Sequence, residues 1–359
     1  MNHAGFSTIG FLDYPKEIMA KLLELRNVTK IFKGGVLAVD DISFSIDDDR
    51  PSIVALAGES GSGKTTLGLM ILGFLEPTQG EVFYRGKNLK ELSRQERWTF
   101  RHEVQAVFQD PFAVYNPFYK VDHILEVPVK KFKLAGSKDE AKGMIEEALT
   151  TVGLRPREIL GRFPHQLSGG QRQRLVVARA LLLKPKLLIA DEPVSMIDAS
   201  LRATILDTLR KLNQELGIPV LYITHDLTTA YHISDHIIIL YRGAIAEAGH
   251  VDTVIKQPQH PYTQLLIDSI PWPDIHQQWG QQDIIVPDGS IPRENHGCKF
   301  APRCPHVKPA CWQSPPPLYR VDSSRVAACY LYEGQPTMTK EEVGSLFSAK
   351  VQASTVTSS

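Results

Sequence analysis

The chain has 359 residues, 43% of them hydrophobic, which is enough for a full core in one large domain with appendages or in two ordinary ones. Forty basic and forty acidic residues cancel, so no global field gathers nucleic acid or anionic lipid, and no convincing local basic patch is evident. The longest apolar runs, such as 175–183 and 237–241, fall far short of the ~20 residues that a membrane-spanning helix needs. The start, MNHAGFSTIGFLDYPKEIMAK, lacks the basic, apolar and small-residue order of a secretory signal. A cytosolic, reducing location is the expectation.

In chain order, residues 1–21 show no period and read as a leader, with a natural domain start near MAKLLELRNVTKIF. From residue 22, LLELRNVTKIF, AVDDISFSI and PSIVALAG read as strands, the last a buried one running into a glycine loop. A helix is expected from Lys64 to about Leu75, then a turn and strand at EPTQGEVFYRG, then a strand VQAVFQ over 104–109. Helical spacing follows, with IEEALTTVGL and RQRLVVARALLL inside an inserted helical lobe of about 110–183. Strands return as LLIAD and VLYITH around the amphipathic helix SLRATILDTLRKLNQEL, a β-α-β unit of a parallel sheet. A proline-rich stretch, PQHPYTQLL and then IPWP, marks a boundary near Ile270, and the polar residues 336–359 read as a disordered tail.

Residues 58–65 fit G-x-x-x-x-G-K-[ST], after a strand and opening a helix, as the pattern requires. Gly58, Gly61 and Gly63 let backbone N–H groups curl around a β-phosphate, with Ser60, Ser62 and Thr66 completing the loop. Lys64 then reaches the β- and γ-phosphates, and the Thr65 hydroxyl ligates Mg²⁺. LLIADE ends a buried strand with Asp191, expected to hold Mg²⁺, and Glu192, expected to orient and deprotonate the attacking water. LSGGQRQR puts Ser168, Gly169, Gly170 and Gln171 at a second helix start. Capping alone accounts for Ser168, but not for the glutamine and alternating arginines. One site does not need two such clamps.

With these motifs the chain resembles the nucleotide-binding subunit of an ABC transporter over residues 22–270, an α/β P-loop NTPase with an inserted helical subdomain. The resemblance implies a head-to-tail dimer in which Ser168, Gly169, Gly170 and Gln171 serve the partner's ATP. It also implies that Gln109 senses Mg²⁺ and the attacking water, that His225 contacts the γ-phosphate, and that Phe32 stacks on adenine. Where the family usually has Ser-Ala-Leu-Asp, this chain has Ser195, Met196, Ile197 and Asp198. The aspartate that communicates between sites is kept, so an active site is expected.

Four cysteines, Cys298, Cys304, Cys311 and Cys329, cluster near the C-terminus. In a cytosolic chain they read as a metal or cluster site before they read as disulfides, and spacing alone leaves zinc, iron–sulfur and inert thiols open. GCKFAPRCPHVKPAC, FQDPFAVYNP, FPHQLSGGQRQR and QHPYTQLL resemble the oligopeptide/dipeptide branch of ABC importers. That likeness implies a 4Fe-4S cluster in an extension over 271–335. It further implies a peripheral ATPase on the cytoplasmic membrane face, paired with a second, different ATPase, two permeases and an extracytoplasmic solute-binding protein. Peptides or a related solute such as oligosaccharides are the expected cargo. The rival reading is a soluble ABC ATPase acting on ribosomes or nucleic acid, but such proteins typically carry two nucleotide domains or a long coiled coil, and this chain has neither.

Overall fold

The computed structural model describes residues 21–48, 51–110, 114–270 and 297–348. The leader (1–20), the linker 271–296 and residues 349–359, on which parts of the sequence reading fall, lie outside the described residues.

Two sheets make the frame. Strands β1 (Lys21–Ile31), β2 (Leu37–Asp47), β4 (Gln79–Tyr84) and β5 (Lys87–Asn88) form an antiparallel sheet in the order β2-β1-β4-β5. The larger sheet contains β3 (Ile53–Ala57), β6 (Val104–Val107), β7 (Leu187–Asp191), β8 (Val220–Thr224), β9 (His236–Tyr241), β10 (Ala244–His250), β11 (Leu318–Asp322), β12 (Arg325–Ala327) and β13 (Thr337–Met338). Its order is β13-β11-β12-β10-β9-β3-β8-β7-β6, with β9, β3, β8, β7 and β6 parallel to one another.

Strands β3, β7 and β8 are buried along their whole length. That is why they read as unbroken apolar runs rather than alternations. Successive residues still face opposite sides: Ile53, Ala55 and Ala57 join the helical lobe's Leu125, Leu149 and Leu175 in one core, while Val54 and Leu56 join Leu25, Phe44 and Leu67 in the other. The lobe consists of helices Asp122–Phe132, Lys138–Thr151, Pro156–Ile159 and Gly169–Leu181.

Three expectations change. The strand expected over 104–109 stops at Val107, because β6 is an edge strand and the Phe108 carbonyl accepts from Gln173 Nε2 (3.4 Å) instead of continuing a ladder. The extension does not stand apart from the nucleotide domain: β12 pairs antiparallel with β10, so both share one sheet. The tail expected from residue 336 is folded as far as 348, with Val343, Leu346 and Phe347 buried in the same core as Phe44. Their i, i+3, i+4 spacing is that of an apolar helical face, hidden in sequence by polar neighbours.

Candidate active site

The glycine loop sits between β3 and helix Lys64–Ile71, at the carboxyl end of the parallel strands. Gly58 (φ 147°), Gly61 (φ 80°) and Gly63 (φ 101°) all take positive φ. A Cβ at Gly58 would lie 2.2 Å from the Leu240 carbonyl oxygen, and one at Gly63 2.2 Å from that of Ala38. Both positions exclude a side chain by sterics and by backbone conformation. Ser62 is buried, and its carbonyl accepts from Gly243 N–H (2.9 Å), pinning the loop to the β9–β10 turn; Ser60 and Thr65 are exposed.

Lys64, only 5% exposed, folds back so that its Nζ donates to the carbonyls of Gly58 (2.8 Å) and Glu59 (2.9 Å). Burial holds its pKa below the usual lysine value, against the pull of Glu192, Asp191 and Glu59. A partly desolvated ammonium at a glycine loop that opens a helix is a site for a polyanion. Asp191 ends β7 and is 7% exposed. Its Oδ1 lies 3.5 Å from the Thr65 hydroxyl, and burial pushes its pKa up to about 6. A buried carboxylate beside a hydroxyl is a donor set that Mg²⁺ takes.

Glu192 follows with φ 46°, an unusual conformation for a side-chain-bearing residue. The backbone enforces it: Glu192 N–H donates to Ile223 O (2.8 Å), while Ser195 N–H (3.2 Å) and Oγ (3.0 Å) donate to Glu192 O. The bend aims the carboxylate at His225, whose Nδ1 is 2.9 Å from Glu192 Oε1. His225 is just past the end of β8, the neighbour of β7, so sheet order brings the pair together. Phe32 stands outside the core at 41% exposure, with Lys30 Nζ 5.6 Å from its ring centre. Gln109 is exposed just beyond β6.

The structure brings Lys64, Thr65, Asp191, Glu192 and His225 close to one another at the carboxyl end of the sheet. Ser168 and Gln171 lie elsewhere. They form a reciprocal capping box, Ser168 Oγ accepting from Gln171 N–H (3.2 Å) and Gln171 Oε1 from Ser168 N–H (3.0 Å), so capping accounts for the glutamine as well, contrary to the sequence expectation. Gly170 packs on Leu201, where a Cβ would meet Leu201 Cδ1 at 2.8 Å, and Gly169 faces Ile197. Ile197 is buried, whereas Met196 is 55% exposed and Asp198 starts helix Ala199–Leu216 with no side-chain capping bond. The signature helix packs on β6, three strands from β3. At ~4.8 Å per strand that is about 14 Å across the sheet.

None of the four cysteines is in a disulfide, and Cys298, Cys304, Cys311 and Cys329 line one small cavity. Burial pushes the Cys304 and Cys329 thiols up to about 11, and raises Cys298 as well. Lys308 N–H points at Cys311 Sγ (3.4 Å). Among the described residues, no group of three or more His, Cys, Asp or Glu is placed so that it could hold a metal ion.

The ABC transporter family profile matches residues 39–195, and the profile for the C-terminal region of oligopeptide/dipeptide transporters matches 246–311. The putative oligopeptide transport ATP-binding protein YkfD of Bacillus subtilis is 39% identical over 89% of this chain and 98% of its own length. This chain belongs to the ABC transporter ATPases. The oligopeptide transport ATP-binding protein AppF of the same organism is 37% identical over 87% of this chain and 97% of its own length. A putative peptide import ATP-binding protein of Brucella ovis is 38% identical over 86% and 97%. Among solved structures, cbiO1 of Clostridium perfringens, part of the transporter complex cbiONQ, superposes with a TM-score of 0.59 at 26% identity, covering 66% of this chain and 92% of that one. The ATP-binding cassette MJ0796, a dimer in a post-hydrolysis state with ADP and Pi, gives 0.57 at 31% identity, over 64% and 98%.

Proposed function

We propose that this ATPase is the energising subunit of a multi-subunit importer of oligopeptides or dipeptides, or of a related solute such as oligosaccharides. The observation that carries the reading is the close grouping of Lys64, Thr65, Asp191, Glu192 and His225, on a chain whose relatives along nearly its whole length are named for peptide transport. Among the described residues no helix is long and apolar enough to cross a membrane. The chain would thus act from the cytoplasmic face on two separate permeases, with an extracytoplasmic binding protein delivering the solute.

In this reading the glycine loop (Gly58 to Gly63, with Thr66) cradles the β-phosphate, Lys64 spans the β- and γ-phosphates, and Phe32 stacks on adenine. Thr65, Asp191 and Gln109 hold Mg²⁺. Glu192 takes the proton of the attacking water, and His225 fixes the carboxylate's direction while reaching toward the γ-phosphate. Ser168, Gly169, Gly170 and Gln171 grip the nucleotide of a second, different ATPase subunit, with Asp198 communicating between the sites. The distance from signature to glycine loop within one chain supports this division of labour. The domains are 22–270, with the helical lobe at about 110–183, and an extension from 271.

Cys298, Cys304, Cys311 and Cys329 are assigned to a 4Fe-4S cluster that staples the extension. Four cysteine thiols that line one small cavity support it.

Glu192→Gln should abolish hydrolysis while leaving ATP binding intact, and the chain should co-purify with permeases. Wild-type turnover in the variant would overturn the assignment of the base. Recovery on ribosomes without permeases would overturn the importer.

A further inference from the structure

Glu59, the second residue of the glycine loop, puts a carboxylate at the mouth of a site built for a polyanion. Its backbone is already part of the cradle: its carbonyl accepts from Lys64 Nζ (2.9 Å), and its N–H donates to the Tyr262 hydroxyl (2.9 Å). A charge on this side chain works against the bound phosphates, because like charges at such range repel strongly once water is excluded. The charge is answered from the extension. Arg303 Nη1 lies 3.2 Å from both Glu59 carboxylate oxygens, 244 residues away in sequence.

Arg303 is placed with care. It ends the turn that joins Cys298 to Cys304, in which Ala301 N–H donates to Cys298 O (3.1 Å), Arg303 N–H to Phe300 O (2.9 Å) and Cys304 N–H to Ala301 O (3.2 Å). Phe300 of the same turn is buried against Tyr241 and Tyr262, with ring centres 5.3 and 5.6 Å apart. The Arg303 guanidinium rests 5.9 Å over Tyr241 and 5.6 Å over Phe300, which fixes its approach to Glu59. Lys299 clamps the other end of the turn, bonding to Arg242 O and Asp40 Oδ2 at 2.7 Å each.

We infer that Arg303 is a positioning residue for nucleotide binding: the cysteine turn presents it to neutralise Glu59, so that nucleotide affinity depends on the extension. The inference rests on ATP binding at the glycine loop. The pair is partly exposed, at 40% and 38%, so the effect is modest, a rise in KM for ATP of about twofold to fivefold for Arg303→Ala, with kcat unchanged.

The test uses the full-length chain and five proteins: wild type, Arg303→Ala, Arg303→Lys, Glu59→Gln and the Arg303→Ala/Glu59→Gln double variant, each assayed for ATP affinity by fluorescent-nucleotide titration and for KM and kcat. Arg303→Ala should weaken binding, and adding Glu59→Gln to it should recover most of the loss, because the charge left unanswered is then gone. The Arg303→Ala defect should also shrink as ionic strength rises. Arg303→Lys should restore most of the affinity. An equally weak double variant, or a defect in kcat instead of KM, would mean a merely mechanical clamp and overturn the inference. Wild-type affinity in Arg303→Ala would also overturn it. Failure of the wild-type chain itself to bind ATP would instead refute the nucleotide site.

Discussion

Glu247 and Arg325 offer the sharpest test of how the extension is built into the nucleotide domain. Glu247 is fully buried in β10, and Arg325, 4% exposed, arrives from β12 with its Nη1 3.9 Å from Glu247 Oε1. The carboxylate also accepts N–H donors from Gln259 (3.0 Å) and His260 (2.9 Å), while Arg325 serves Asp322 (2.7 Å), Thr253 O (2.9 Å) and Gln257 O. Burial outweighs these partners and pushes the Glu247 pKa up to about 7. Arg325→Met keeps the apolar stem and removes the charge. At pH 8 it should leave a buried carboxylate with neutral donors alone, at a cost of about 3–5 kcal/mol. That corresponds to roughly 6–10 °C in Tm, taking ~2 °C per kcal/mol for a large domain. The sign with pH follows from linkage. A carboxyl whose folded pKa exceeds its unfolded value contributes stability below the unfolded pKa and loses it as pH rises through the folded one, here from about 4.5 to about 7. At pH 5 Glu247 is protonated in both proteins, so the variant should lose less than half as much. Thermal unfolding at the two pH values decides it, and adding Glu247→Gln should recover most of the loss at pH 8. An equal drop at both pH values would refute the electrostatic account.

Asp191 makes a second pH prediction. Its pKa is raised to about 6 by burial, so in the proposed role it would have to lose a proton before holding Mg²⁺. At a fixed concentration of fully ionised MgATP, kcat/KM should therefore fall with a one-proton slope below about pH 6; a flat profile down to pH 5 would show that Asp191 is already ionised. For the cysteines, anaerobically purified protein should contain about four irons and four sulfides per chain, and stoichiometric zinc without iron would sink the cluster.

The parts of this molecule legible in its sequence are those whose residue types are forced locally. The glycines at 58 and 63 leave no room for a side chain, so the loop is spelled out in the chain, and the strands β3, β7 and β8 are apolar because both faces are covered. Helix Arg94–Glu103 escaped a search for apolar period, because Phe100 is its one buried residue. Its Ser93–Glu96 capping box was the available signal. Strand β10, AIAEAGH, has little intrinsic strand preference and is extended because β9 and β12 pair with it on both sides. The approach of His225 to Glu192 becomes readable only once β7 and β8 are known to be neighbours. Arg303 reaching Glu59 depends on tertiary placement that no local pattern encodes.

The same distinction explains how the extension is held. Besides the buried Arg325–Glu247 pair, three of its basic residues meet three acidic ones of the nucleotide domain nearer the surface: Lys299 with Asp40, Arg303 with Glu59 and Lys340 with Asp41. Every one of these six side chains is at least a quarter exposed, and such pairs typically contribute about 0–1 kcal/mol each. They are too weak to carry the association. Phe300 enters the core beneath the glycine loop, while Val343, Leu346 and Phe347 enter the core beneath β2, all nearly inaccessible to water. A fully buried side chain of this size contributes about 1.5–3 kcal/mol, so these four outweigh the three ion pairs. The apolar residues hold the extension in place. The ion pairs set its alignment, and one of them ends on the loop that takes the nucleotide.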